Sequence, residues 1–229
     1  MSTEKKLGLA DLSEENLIES TQKFWSRYSK YIVSTAVAAV VLIGGYYAYW
    51  NFIQLPKETE ANEAIWTAQS NFKIDSFRLA LNGDGTKVNP GLLKVINKHG
   101  GTQAANLAEF YAGICFLQLG EYPKAVEHLK AFSTDDPVLQ MRQYGSLGDA
   151  YSEQGKNEEA ISNYKKAAAA FTTDEANSAE YLFRLGHLYE KLGKEKDAIE
   201  AFTTIKQKFP LSLRASEVDK YLGRLGQTQ

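Results

Sequence analysis

The sequence predicts an all-α protein: one N-terminal transmembrane helix followed by a right-handed α-solenoid. Two observations carry this. No charged side chain occurs from Tyr31 to Pro56, and that stretch contains the apolar run Ile32 to Ile43. Further on, three segments superpose without a gap: GICFLQLGEYPKA from Gly113, GDAYSEQGKNEEA from Gly148 and GHLYEKLGKEKDA from Gly186. In each, an aromatic follows the first glycine by three positions, a second glycine by seven and an alanine by twelve. The 229-residue length suits one or two domains. With 44% hydrophobic and 24% charged residues, the chain is too apolar to be mainly disordered.

Residues 1–30 are expected to form a cytoplasmic arm with an amphipathic juxtamembrane helix. Asp11 and Glu14 suggest a capping box, and Leu17, Ile18, Thr21, Phe24, Trp25 and Tyr28 recur at helical spacing. Residues 31–53 are the expected transmembrane signal anchor. About 22 helical residues at ~1.5 Å each span ~33 Å, close to the hydrocarbon thickness of a lipid bilayer. Tyr28 and Tyr31 mark one interface, and Tyr46, Tyr47, Tyr49, Trp50 and Phe52 the other. Bulky aromatics fill the place where a signal peptidase would need small residues, so the segment reads as retained.

Lys23, Arg27 and Lys30 precede the span, whereas Lys57, Glu58, Glu60 and Glu63 follow it. Because positive residues stay cytoplasmic, this predicts a single-pass protein with residues 1–30 in the cytoplasm and residues 57–229 outside it, in the periplasm if the membrane is the inner membrane of a Gram-negative bacterium. Ser34, Ala38, Gly45 and Ala48 form one small-residue face along the span. Another transmembrane helix could approach closely there, although helices that pair with nothing carry such faces too.

Residues 57–105 read as a diverged helical pair. Ala61, Ala64, Ile65, Ala68, Phe72 and Phe77 keep helical spacing over 57–81, before Asn82-Gly83-Asp84-Gly85 breaks it. Pro90 then suits the first turn of a helix carrying Leu92, Leu93, Val95 and Ile96. Residues 106–212 hold the three repeats, offset by 35 and 38 residues from one first glycine to the next. Gly113, Gly148 and Gly186 allow two helices to approach, with Phe116, Tyr151 and Tyr189 filling the space beside them. Gly120, Gly155 and Gly193 suit a helix end that needs positive φ. Ala125, Ala160 and Ala198 admit the second helix, Leu129, Tyr164 and Phe202 supply bulk one turn later, and Pro137 and Pro210 are expected to stop their helices. Residues 213–229 form a capping helix and tail, with Val218, Tyr221 and Leu222 inward.

Composition excludes several functions. With 26 basic against 28 acidic residues there is no excess charge for a phosphate backbone, so no nucleic-acid partner is expected. The single Cys115 and the scattered His99, His128 and His187 give neither a disulfide framework nor a metal set. Asn82 to Thr86 superficially resembles a calcium loop, but Lys87 and Leu93 stand where a glycine and an acid are required. No HExxH, GxSxG or P-loop occurs, so no catalytic residue, cofactor or metal is expected, and the chain reads as a non-enzyme.

The spacing of 106–212 resembles the tetratricopeptide repeat (TPR) family, whose unit is about 34 residues. Carrying that family's concave-face pattern onto this sequence implies a partner-binding groove. It would be lined by Phe110, Ile114 and Leu117, then Asp149, Ser152 and Glu153, then Phe183, His187, Glu190 and Lys191. The alternative is that the 57–98 helices cover Phe110, Ile114 and Leu117 within the chain.

The layout of anchor and compact repeat domain, with the segments Asp75 to Gly83 and Gly101 to Gly120, is similar to the Bacteroidetes-type members of the YfgM-like family. That resemblance implies a non-enzymatic ancillary subunit of the SecYEG translocon, anchored in the lipid bilayer. Its repeats would bind a PpiD-type periplasmic chaperone and assist exported proteins. A scaffold for envelope assembly or cell division would share the layout, as would a mitochondrial import receptor with its repeats in the cytosol.

Overall fold

A computed structural model describes residues 14–227, and among them every regular element is helical. The expected capping box at Asp11 lies outside the described residues, as do the other residues of the N-terminal arm before Glu14. The chain divides at Pro56 into two units.

In the first unit, helix α1 runs from Glu14–Tyr49 and a π-helical turn follows over Trp50–Gln54. There the Leu55 N–H reaches back to the Trp50 carbonyl, one residue further than an α-helix allows. Every side chain from Tyr31 to Trp50 is exposed, including Val40, Leu42 and Ile43. A helix that is apolar around its whole circumference and exposed on every side among the described residues suits lipid. This helix is long and apolar enough to cross a membrane.

The second unit starts in α2 (Leu55–Lys73), which buries Ala61, Ile65 and Ala68 on one stripe. The helix expected to continue to residue 81 ends eight residues earlier. Asp75 adopts a φ of 57°, a left-handed conformation that aspartate tolerates better than most residues. The Ser76 N–H closes the turn on the Asn71 carbonyl at 3.0 Å. A new short helix, α3 (Phe77–Asn82), then brings Phe77 edge-on to Phe72. With α4 (Leu92–Lys98), the expected pair is therefore three helices. Pro90 lies before α4 rather than in its first turn, and Gly91 occupies the N-cap.

Three helical pairs follow: α5 (Gln103–Gln118) with α6 (Tyr122–Ala131), α7 (Pro137–Glu153) with α8 (Asn157–Ala170), and α9 (Glu175–Lys191) with α10 (Glu195–Lys208). Helix α11 (Leu213–Arg224) closes the series, with Val218 and Leu222 buried. The repeated glycines sit under the bulky residues of the partner helix. A Cβ at Gly113 would fall 2.6 Å from Leu129 Cγ, and one at Gly148 the same distance from Tyr164 Cδ1. Gly186 lies under the Phe202 ring in the same way.

At the helix ends, the N–H groups of Glu121, Lys156 and Lys194 each bond the carbonyl of the repeated aromatic, Phe116, Tyr151 and Tyr189, at 2.9 Å. That closure is the Schellman arrangement, and it requires the positive φ of the glycine just before it. Pro210 follows the end of α10 as expected. Pro137 does not stop α6, which already ends at Ala131; it opens α7 instead. Its missing N–H is harmless in a first turn, and the Asp136 carboxylate caps the N–H groups of Val138 and Leu139.

Helix α5 is fixed to α2 at its N-terminus. The Glu58 carboxylate accepts from the Gln103 and Ala104 N–H groups at 2.8 and 2.9 Å, and Thr102 Oγ1 accepts from Ala105 at 3.0 Å. Three otherwise unpaired first-turn amides are thus satisfied, with a negative charge at the positive end of the helix dipole.

Candidate functional site

The α9 stripe Glu180, Phe183, Arg184, His187 and Lys191 repeats every three or four residues, so all five share one face. Together with Ser152 of α7 and Arg214 of α11, and with Leu188, they line an open cleft of about 300 Å³. Four of the expected groove residues, Ser152, Phe183, His187 and Lys191, meet there. Glu180, Arg184 and Arg214 were not anticipated. The first two lie on the same helical stripe, and Arg214 stands one 34-residue step beyond Glu180, so the repeat period itself pointed to them.

The charges of this face bind one another. Arg184 donates to both Asp149 carboxylate oxygens at 2.8 and 2.6 Å and to Glu180 at 2.9 Å. Arg214 donates to Glu180 at 2.7 Å and to Glu217, while its guanidinium covers the Phe183 ring at 4.1 Å. Arg224 donates to Glu190 at 2.6 Å, and the other Glu190 oxygen meets His187 Nδ1 at 2.8 Å. Tyr164 completes the set, its hydroxyl donating to Asp149 at 2.8 Å.

Burial alone would raise the Glu180 carboxyl, but the bonds from Arg184 and Arg214 outweigh it and hold the group below its ordinary range. Burial likewise opposes the Arg184 charge, and Asp149 and Glu180 more than restore it. Partly exposed pairs of this kind are each worth about 0–1 kcal/mol, so the ladder sets the register of α7, α9 and α11 more than it stabilises them. It also engages Asp149 and Glu190, two of the expected groove residues.

Phe110 does not line a groove. It is 6% exposed and packs against Phe132, with ring centroids 5.1 Å apart, because the turn after α6 folds over it. Ile114 is half-buried against the same core, whereas Leu117 is half-buried against the cluster that includes Ile65 and Leu92. Glu153 is exposed and outside the cleft. In the first unit, Ser34, Ala38, Gly45 and Ala48 fall within an arc of roughly 80° at 100° per residue, all exposed. Ser34 Oγ bonds its own helix at Tyr31, and a Cβ at Gly45 would touch nothing.

Ser152, Glu180, His187 and Lys191 all line the cleft, and Glu190 holds His187 Nδ1 at 2.8 Å. Cys115 is fully buried in the core, which pushes its thiol up to about 12 and leaves no thiolate for chemistry. His128 is held by Glu109 at 2.6 Å and stacked on Phe116, a packing role. Among the described residues no group of three side chains is placed to hold a metal.

Burial lowers the His99 imidazole below its ordinary 6.5, with Lys98 adding to the effect. The unfolded chain therefore binds a proton that the folded chain resists. The contribution of His99 to stability is complete above about pH 6.5 and declines as pH falls below it. The urea midpoint is expected to drop between pH 7 and 5, and the slope to flatten in His99→Gln; equal slopes would show that His99 is not responsible.

The tetratricopeptide repeat-like domain family matches residues 22–147, more than half of the chain, and the tetratricopeptide repeat family matches residues 141–205. No curated protein matches the chain.

Proposed function

The chain belongs to the tetratricopeptide repeat-like domain family, and from that premise we propose that it is a membrane-anchored, non-enzymatic adaptor of a SecYEG-type translocon. Such repeats are usually non-catalytic protein-interaction modules. In this proposal the α1 span anchors the protein beside the channel, and the repeats bind a PpiD-type chaperone on the outer face of a bacterial inner membrane. The observation that carries the binding half is the cleft at Ser152, Phe183, His187 and Lys191. It is open, has an apolar floor, and keeps a lysine with no ionic partner among the described residues. An extended or helical segment can anchor an apolar side chain on Leu188 and an acid on Lys191.

The test is mild detergent extraction of the tagged full-length chain from native membranes, followed by mass spectrometry against an untagged control. The proposal expects the channel together with a periplasmic chaperone. Recovery of cell-wall or division proteins without the channel would replace it with the envelope-scaffold reading. For the anchor half, replacing Ser34, Ala38, Gly45 and Ala48 together by leucine is expected to lower recovery of the channel at least tenfold while leaving the chain in the membrane. Unchanged recovery would remove the small-residue face from the account.

A further inference from the structure

A second cleft of about 900 Å³ lies at the opposite end of the repeat unit from α11, between α2, the loop before α4, and α4 itself. It goes beyond the concave face, and no α5 residue lines it. Along the rest of the unit each helical pair is covered by the next helix: α5 covers α4, α7 covers α6, α9 covers α8 and α11 covers α10. At the far end α11 turns Ser216, Lys220 and Gly223 to solvent, with Leu213 in its first turn 74% exposed. At the near end Trp66 is 69% exposed and Val88 75%, and they stand over the cleft.

The near end thus carries a deep cleft with two large apolar side chains exposed over it, Trp66 and Val88, set among Glu63, Lys94 and Lys98. What fits such an end is what fits every other junction of this fold, an α-helix with one apolar stripe. The rim states the polar complement. Lys98 is paired with Glu60 at 3.1 Å, while Lys87 and Lys94 have no partner among the described residues. Three lysines against Glu60 and Glu63 leave the rim positive. His99, 4% exposed, also lines the cleft, and its Nδ1 has no hydrogen-bond partner, which is rare for a buried polar atom.

We propose that this cleft seats an amphipathic helix of a partner protein, its apolar stripe on Trp66 and Val88 and its acidic side chains against Lys87 and Lys94. The partner would thereby extend the solenoid by one helix, on a surface separate from the concave cleft, so both can be occupied together.

The experiment places the photoreactive residue benzoylphenylalanine at position 66 of the full-length chain in native membranes. The same probe at Lys220, exposed on α11 at the far end, is the control. Crosslinked peptides are sequenced by mass spectrometry. The expected result is an adduct at position 66, absent at 220, to a segment with apolar residues at helical spacing and acids on its flank. Its yield should fall at least tenfold in the Lys87→Glu, Lys94→Glu double variant at unchanged melting temperature. Adducts only to lipid, to a second copy of this chain or to a segment without that pattern would overturn the proposal. So would the absence of an adduct, or a yield indifferent to the charge reversal.

Discussion

Replacing Phe202 by alanine is expected to destabilise the repeat unit by about 3–5 kcal/mol, the range for truncating a fully buried phenylalanine. The residue is 0% exposed, and its ring lies over Gly186 of α9. It also meets Phe183 at 5.9 Å, His187 at 5.6 Å and Tyr221 of α11 at 5.5 Å. One side chain thus joins both helices of the last pair to the closing helix, and its loss leaves a cavity that no single helix can shift to fill. For a chain of this size the melting temperature should fall by roughly 10 °C, measured by far-ultraviolet circular dichroism in detergent. A change below about 1 kcal/mol would mean that α10 closes onto α9 without it.

A comparable effect of about 3 kcal/mol is expected for Gly91→Ala. Gly91 has a φ of 81°, and a Cβ there would overlap the backbone of Asn82 and Gly83. Because the obstruction is backbone rather than a rotatable side chain, the loop joining α3 to α4 must open. That would disrupt the Asp84 to Asn89 bond of 3.1 Å. Gly85 provides the control. Its φ is 85°, but a Cβ there meets nothing, so Gly85→Ala should cost only the ~1–2 kcal/mol of left-handed backbone. Hydrogen exchange should localise the Gly91→Ala loss to α3 and α4. Equal effects at the two glycines would show that the backbone approach is not what holds the loop.

These contrasts mark what the sequence makes legible. Gly113, Gly148 and Gly186 could be read because each is a local packing constraint repeated at one-repeat spacing, with Leu129, Tyr164 and Phe202 as the partners. The break at Asp75 could not. The apolar spacing continues from Phe72 to Phe77, and only a left-handed backbone angle interrupts the helix. Pro137 was misread because a proline between two helices serves equally well to stop one or to start the next, and the cap at Asp136 decides.

Of the expected groove, Ser152, Phe183, His187 and Lys191 come together because α9 presents one continuous stripe beside α7. Phe110 is lost to it because the fold of the α6 to α7 turn over that ring is a long-range event. The ion-pair ladder had the same character. Asp149 finds Arg184 at a separation of 35 residues, Glu180 finds Arg214 at 34 and Glu190 finds Arg224 at 34. Each is one repeat away, so the period encoded the partners although no local motif did.

The central claim is that the cleft between α7, α9 and α11 is where a protein partner binds while α1 holds the chain in the membrane. Its most direct measurement compares partner recovery from native membranes for the wild-type chain with that for a Ser152→Trp, Lys191→Glu variant. That variant fills the cleft and reverses its unpaired charge, and Lys220→Glu on the far face serves as control. The account predicts at least a tenfold loss of the soluble-domain partner in the cleft variant alone, with membrane retention and melting temperature unchanged. Full recovery of that partner with a folded cleft variant would contradict it.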